Sequence, residues 1–298
     1  VTVTEVVIGT TGDAGSDDAA ALGIALARTV GATPVIAHVR PEAWQVVGAG
    51  RVDAEWDRYL DESSHAVLAD TVDRFAAALD PLGVQTALGR HRSSGTGLDE
   101  LAVRRGADYL VIGSAPGGVR GRIQSGSTAE HLLHGASVPV ALAPAGYAER
   151  APERIGRLVV AIETTRHQAQ LAPVVEIARG FGLPVVFVTI VRRTTRIYTT
   201  QLGADAEDEV LAVLRADAEA ALAAALALVP SEQAAYASGE VLTGDDVTAA
   251  LLRFAWRADD LLVCGSSTLG PVRRVLLGDM TFRILRGSPA PVLVMPRP

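Results

Sequence analysis

Two stretches of this chain combine glycine, hydroxyl and proline residues in an order suited to holding an anion. The first, Gly113-Ser-Ala-Pro-Gly-Gly-Val-Arg-Gly-Arg-Ile-Gln-Ser-Gly-Ser127, follows the apolar run Tyr109 to Ile112. The second, Gly265-Ser-Ser-Thr-Leu-Gly-Pro-Val-Arg-Arg-Val-Leu-Leu-Gly-Asp279, follows Leu261 to Cys264. Glycine lets the backbone turn sharply and brings amide N–H groups close to phosphate oxygens. A helix opening at Gly126-Ser127-Thr128 would add unpaired N–H groups, a positive dipole end and two hydroxyls. Such a cradle needs no lysine, and this chain has none: all 27 basic residues are arginine, and asparagine is absent as well. A Walker-A lysine, a Schiff base, lysine adenylation and a kinase-type lysine are therefore excluded. No Ser-His-Asp order, His-Glu-x-x-His or Gly-x-Ser-x-Gly occurs, so no catalytic residue is assigned.

The two stretches are copies at one spacing. Gly113/Gly265, Gly126/Gly278 and Pro139/Pro291 are all 152 residues apart, and Ile8-Gly-Thr-Thr11 lies opposite Val160-Ala-Ile-Glu163 at the same offset. A duplicated unit in 298 residues predicts two domains, 1–146 and 157–298, each large enough for its own core. With 49% hydrophobic but 4% aromatic residues, those cores must be built from Ala, Val and Leu.

Within each copy, short β-branched strands alternate with helices. The first half reads as strands Val3–Gly9, Pro34–Val39, Val84–Leu88, Tyr109–Ile112 and Pro139–Ala143. Its helices are expected over Asp17–Val30 with a cap at Ser16, Asp53–Leu79, Gly97–Arg105 and Ser127–His134. After a linker over Ala145–Gly156 the order repeats: Leu158–Glu163, a helix to Arg179, Pro184–Ile190, helix Asp205–Leu228, a weak strand near Gln233–Ala237, helix Asp245–Ala255, Leu261–Gly265, a helix and Pro291–Met295. Strands separated by helices imply right-handed crossovers and a parallel sheet covered on both faces. Ligands of such sheets sit at the carboxyl ends of strands where the order reverses. That places Gly9–Asp13 and Gly113–Ser127 at one crevice.

These residues resemble the universal stress protein family, over both halves. The family pattern is Gly-x2-Gly-x9-Gly-Ser/Thr, with a first strand commonly ending in Val-Asp-Gly-Ser. Gly113, Pro116, Gly126 and Ser127 stand at the matching positions of the first half, with Gly117 beside the proline and Thr128 adding a hydroxyl; Arg120 and Arg122 in the same loop could contact phosphates by charge-assisted bonds or be merely solvated. Thr11 stands where the family has its adenine-contacting aspartate, so that contact is either missing or supplied by Asp13. In the second half Glu163 keeps an acid there, Gly265 and Gly278 keep glycines, Thr268 replaces the second glycine and Asp279 replaces the Ser/Thr. An acid facing phosphate is repulsive unless a cation bridges them. The resemblance implies α/β fold, two tandem doubly wound (Rossmann-like) domains, each with a five-stranded parallel sheet, packed as a pseudo-dimer through the last strands, with further homodimerisation open. It implies a protein that binds ATP or another adenine nucleotide, with or without Mg2+, as a stress-response sensor or adaptor whose ATP hydrolysis is slow at most. The alternative is an interaction module of the same fold that binds no nucleotide.

Other features bound the partners. Net charge is −7 and no basic run occurs, which argues against nucleic acid. No run of 18 apolar residues argues for a membrane span, and Val-Thr-Val-Thr-Glu does not read as a signal peptide. With a single cysteine, Cys264, inside an expected strand, a cytoplasmic location follows. His131 and His134, although at a chelating separation, read as helix-end residues, and no metal site is assigned. Arg192, Arg193 and Arg196 read as an exposed loop.

Overall fold

The computed structural model describes residues 3–42, 50–162, 171–192, 201–265 and 278–296, with side chains excepted at 50–53 and 201–208. Glu163, Thr268, Trp44, Arg193 and Arg196 lie outside the described residues.

In the first half, β1 (Glu5–Gly9), β2 (Thr33–Arg40), β3 (Gln85–Arg90), β4 (Tyr109–Gly113) and β5 (Val140–Ala143) alternate with α1 (Ala14–Val30), α2 (Gly50–Arg74), the short α3 (Ala76–Leu79), α4 (Ser94–Arg105) and α5 (Ser127–Leu133). In the second half, β6 (Arg157–Ile162), β7 (Val185–Arg192), β8 (Ala237–Gly244), β9 (Asp260–Gly265) and β10 (Val292–Met295) alternate with α6 (Leu171–Phe181), α7 (Gln201–Leu226), α8 (Val247–Leu251) and α9 (Asp279–Gly287). Each set of five strands is parallel, in the orders β3-β2-β1-β4-β5 and β8-β7-β6-β9-β10.

The two sets share one ten-stranded sheet, because β5 and β10 pair antiparallel with Val292 opposite Leu142 and Val294 opposite Val140. Both strands are short, apolar and buried, so each removes the other's exposed edge. Two apolar layers follow from the strand alternation. Ile8, Ile36 and Val160 face α1, α2, α6 and α7, while Val7, Val35 and Leu262 face α4, α5, α8 and α9. The linker is ordered on the first layer. Asp18, buried in α1, accepts the N–H groups of Gly146 at 2.9 Å and Ala148 at 2.8 Å, and Thr29 Oγ1 accepts from Ile155 N at 2.8 Å.

Four local expectations are corrected. The cap of α1 is Asp13, not Ser16, and the helix begins a turn earlier than the apolar periodicity implies. The helix expected over 53–79 breaks at Phe75, where α2 gives way to α3. The last edge strand is not at Gln233–Ala237: Ser231–Tyr236 forms a 3-10 turn after Pro230, and β8 follows in full register with β7. Its face is mostly polar and exposed, so alternation gave little signal. The helix expected over Asp245–Ala255 is short, since the Trp256 indole N–H donates to Leu251 O at 2.7 Å and closes its end.

Candidate functional site

The carboxyl ends of β1 and β4 open into a cleft of about 260 Å³. Its floor is Gly9, Thr10 and Gly113; its walls are the starts of α1, α4 and α5 together with Ser114, Ala115 and Pro116. Close approach of β4 to α1 makes this shape. A Cβ on Gly113 would stand 1.8 Å from Gly15 O, so a larger residue there would push the helix start off the strand.

The wall from α1 is a tight polar turn. Asp13 Oδ1 accepts from Ser16 N at 2.9 Å and from Ser16 Oγ at 3.1 Å, while Thr11 Oγ1 donates to Asp13 Oδ2 at 2.9 Å. Ser16 Oγ also accepts from Thr11 N at 2.8 Å. The carboxylate of Asp13 is thus engaged in capping α1, and Thr11 is tied to it. One turn into the helix, burial raises the carboxyl pKa of Asp17, against the pull of Arg74 at 2.7 Å.

The opposite wall differs in kind. The helix α5 starts at Gly126, which has no side chain to cap it, so the first amides after it have no capping partner. Ser127 and Thr128 bring hydroxyls to the same spot, and Thr128 Oγ1 lies 2.6 Å from Ser94 Oγ at the start of α4. Beside them Ser125 Oγ is buried with no hydrogen-bond partner. Val39, Leu98 and Ile112 supply an apolar patch across the cleft. The arrangement offers donors for one anion and a greasy slot for a flat ring.

Of the expected first-half site residues, Thr11, Asp13, Gly113, Pro116, Gly126, Ser127 and Thr128 all line the cleft. Gly117 and Arg120 do not. The reason is the fold of the glycine loop: Ala115 N donates to Gln124 O at 2.9 Å, which pinches off the residues after Pro116, 117–123. Gly121 N and Ala145 N then hold the tip against the end of β5. Gly117 occupies a left-handed turn at φ +79°, with open space around it. Arg120 pairs with Glu149, and Arg122 donates to Gly287 O in the second half. Neither guanidinium is a phosphate contact in this arrangement; both serve the junction between the halves.

Sequence reasoning passed over Val39, Ser94 and Leu98. The run Ser93-Ser94-Gly95-Thr96-Gly97 carried a signal, since small and hydroxyl residues before a helix mark its capped start, and Ser93 Oγ accepts from Thr96 N at 3.3 Å. Val39 carried none, being an ordinary strand residue.

In the second half, Gly265 ends β9 and Gly278 precedes α9, again without a side-chain cap. The Asp279 carboxylate is largely exposed and accepts from Arg283 Nε at 3.0 Å, so it lies back along its own helix. The helix preceding β9 is the five-residue α8, capped by Asp246, where the first half has the twelve-residue α4. His131 and His134 sit at the end of α5, and among the described residues no three His, Cys, Asp or Glu side chains are grouped to hold a metal. No helix among the described residues is long and apolar enough to cross a membrane.

A doubly wound α/β unit repeated in tandem, each copy with a strand ending in glycine and a following helix that opens after glycine at the carboxyl edge of its sheet, defines the class. The chain belongs to the universal stress protein family, whose family model matches residues 2–144 and again 154–296. Universal stress protein Rv2319c of Mycobacterium tuberculosis is 31% identical over 277 residues, covering 92% of this chain and 94% of that protein. Universal stress protein Mb2346c of Mycobacterium bovis matches with the same identity and coverage. Among solved structures, a universal stress protein from Archaeoglobus fulgidus superposes with a TM-score of 0.62 over 99% of this chain and 98% of its own, at 15% identity. That likeness concerns the fold.

Proposed function

We propose that the first half of the chain binds an adenine nucleotide in the cleft over β1 and β4, and that the bound state serves as a signal in a stress-response sensor or adaptor. The supporting observation is the pairing of two walls: the uncapped start of α5 with Ser127 and Thr128, and the apolar patch of Val39, Leu98 and Ile112. A phosphate suits the first and a purine ring the second. Thr11 and Asp13 would meet the ligand from the α1 side. Any Mg2+ would be carried by the phosphates, since Asp13 is the one acid among the described lining residues.

The domains we assign are 1–146 and 157–298, with the second half as the weaker site through Gly265, Gly278 and Asp279, and Glu163 and Thr268 as its remaining candidates. No residue is given a catalytic role, the cytoplasm is the location we infer, and association of whole chains into a homodimer is part of the same proposal. Titration calorimetry and thermal shift with ATP, ADP, AMP and cyclic AMP, with and without Mg2+, test it. We expect one nucleotide per chain and a raised melting temperature. A flat response at millimolar ligand would leave the interaction module as the better account.

A further inference from the structure

We propose that the outward face of α2 is a docking surface for a basic, arginine-bearing segment of a partner protein. This surface is separate from the cleft and does not depend on the nucleotide reading. Trp56 and Tyr59 are 54% and 58% exposed, although both rings are large and largely apolar. They stack on each other, with centroids 5.4 Å apart and planes inclined by 22°. A roll of the helix cannot turn them inward, because the opposite side of α2 is fixed. Asp57 and Asp61 hold the buried Arg40 of β2 at 2.8 and 3.3 Å, and Ser64, Leu68 and Thr71 are buried further along that side. Residues three or four apart share a helix face. Glu55, Tyr59, Glu62, Ala66, Asp70 and Asp73 therefore form one stripe, and all of them are exposed.

Charge selects the occupant. Glu55, Glu62, Asp70 and Asp73 make the stripe acidic, while Arg58 falls to one side of it and Arg74 is answered by Asp17 at 2.7 Å and Asp70 at 3.1 Å. A cation over an indole or phenol face is drawn to the negative face of the ring, and arginine is the commoner partner. Exposed rings beside carboxylates thus suit a guanidinium: the rings take the flat cation and the carboxylates accept its N–H groups. Tryptophan, tyrosine and arginine are also the residues that dominate interface energies. The same charge argues against other occupants. Anionic lipid and nucleic acid are repelled, and a second copy of this chain, itself at net charge −7, would meet the stripe with acids of its own if laid face to face.

The test is fluorescence anisotropy of a labelled peptide of alternating arginine and serine, titrated with the full chain, beside a control peptide of alternating glutamate and serine. The arginine peptide should bind, less tightly as salt is raised, and the glutamate peptide should not. Trp56→Ser combined with Tyr59→Ser leaves every charge in place and should weaken binding at least about tenfold. Trp56→Phe combined with Tyr59→Phe keeps the ring faces and should retain most of the affinity. Glu55→Gln combined with Glu62→Gln should weaken binding about three- to tenfold. Val213→Ser, at an exposed apolar residue of α7, should change nothing. All these variants replace exposed side chains, so far-ultraviolet dichroism should stay that of the parent chain. No binding of the arginine peptide to the parent chain, or unchanged affinity in the serine double variant, would overturn the proposal. Binding to phosphatidylglycerol vesicles, or dimerisation in sedimentation, that the serine double variant abolishes would overturn it too, by giving this face to a membrane or to a second copy.

Discussion

Helices α5 and α9 begin at equivalent glycines, Gly126 and Gly278, and neither takes a side-chain cap. In the first half the next residue is Ser127, facing a cleft whose far wall is the long α4. In the second it is Asp279, folded back onto Arg283, and the partner helix is the short, acid-capped α8. The described ends of the duplicated element, a strand closing on glycine and a helix opening after one, are therefore kept, while what stands around them has diverged. The same holds at the other end of the strands. Glu5 and Arg157 occupy equivalent positions with opposite charge: Glu5 is gripped by Arg105 at 2.7 and 2.8 Å, and Arg157 grips Asp260 at 2.6 Å through both nitrogens. Topology tolerates either sign, provided that the charge is answered.

That last pair gives the largest expected effect. Asp260 is fully buried, whereas Arg157, Glu5 and Arg105 are all partly exposed. Asp260→Asn removes a fully buried charge that answers the partly exposed Arg157 and should cost about 1.5–3 kcal/mol in urea unfolding, while Glu5→Gln should cost about 1 kcal/mol. Equal losses would show that the two ends are not energetically distinct.

Next comes a comparison within the first glycine loop. Gly113→Ala, with its Cβ 1.8 Å from Gly15 O, should lower stability by about 1–3 kcal/mol. Gly117→Ala meets no atoms and should cost about 1 kcal/mol or less, through its positive φ alone. A melting-temperature ranking in the reverse order would contradict the close approach of β4 to α1.

Ser127→Asp copies the second half's residue into the first. In place of a hydroxyl donor it puts a charge facing phosphate, and nucleotide affinity should drop about ten- to hundredfold with the far-ultraviolet dichroism unchanged. Unaltered affinity would mean that any ligand lies elsewhere. The reciprocal change should be weak: Asp279 is already paired and exposed. Asp279→Ser should leave the calorimetric stoichiometry at one nucleotide per chain. A second site appearing would show that a single residue silences α9, contrary to the difference in walls described above.

The smallest effect concerns pH. Tyr109 at the start of β4 has Leu261 as its counterpart, so one half carries a buried phenol where the other carries an aliphatic side chain. Burial pushes Tyr109 up to about 12, chiefly by desolvation and then by Asp108. The folded value lies above the ordinary 10, so its contribution to stability is whole below pH 10 and is lost as pH rises toward 12. Tyr109→Phe should flatten that part of the stability profile. An unchanged alkaline slope would remove the distinction.

Much of the fold was legible in the sequence because its signals are local. Short β-branched runs, the glycine punctuation and the constant 152-residue offset are properties of the chain, not of its packing. The strand that was misplaced, β8, is an edge strand with a polar face, where register with β7 rather than alternation decides the outcome. Within the site, residues on the strand ends and helix starts were found, while Val39 and Leu98 needed the sheet to bring them together.

The sequence alone determined the duplication, the exclusion of lysine chemistry and the two strand–loop–helix elements, since each depends on residue identity and spacing. Tertiary structure decided the rest. The pinch between Ala115 and Gln124 sent Arg120 and Arg122 to the junction instead of the cleft, although all lie in one loop. Antiparallel pairing of β5 with β10 turned two sheets into one. Both outcomes depend on which backbone groups pair with which, and a buried N–H or C=O must find a partner.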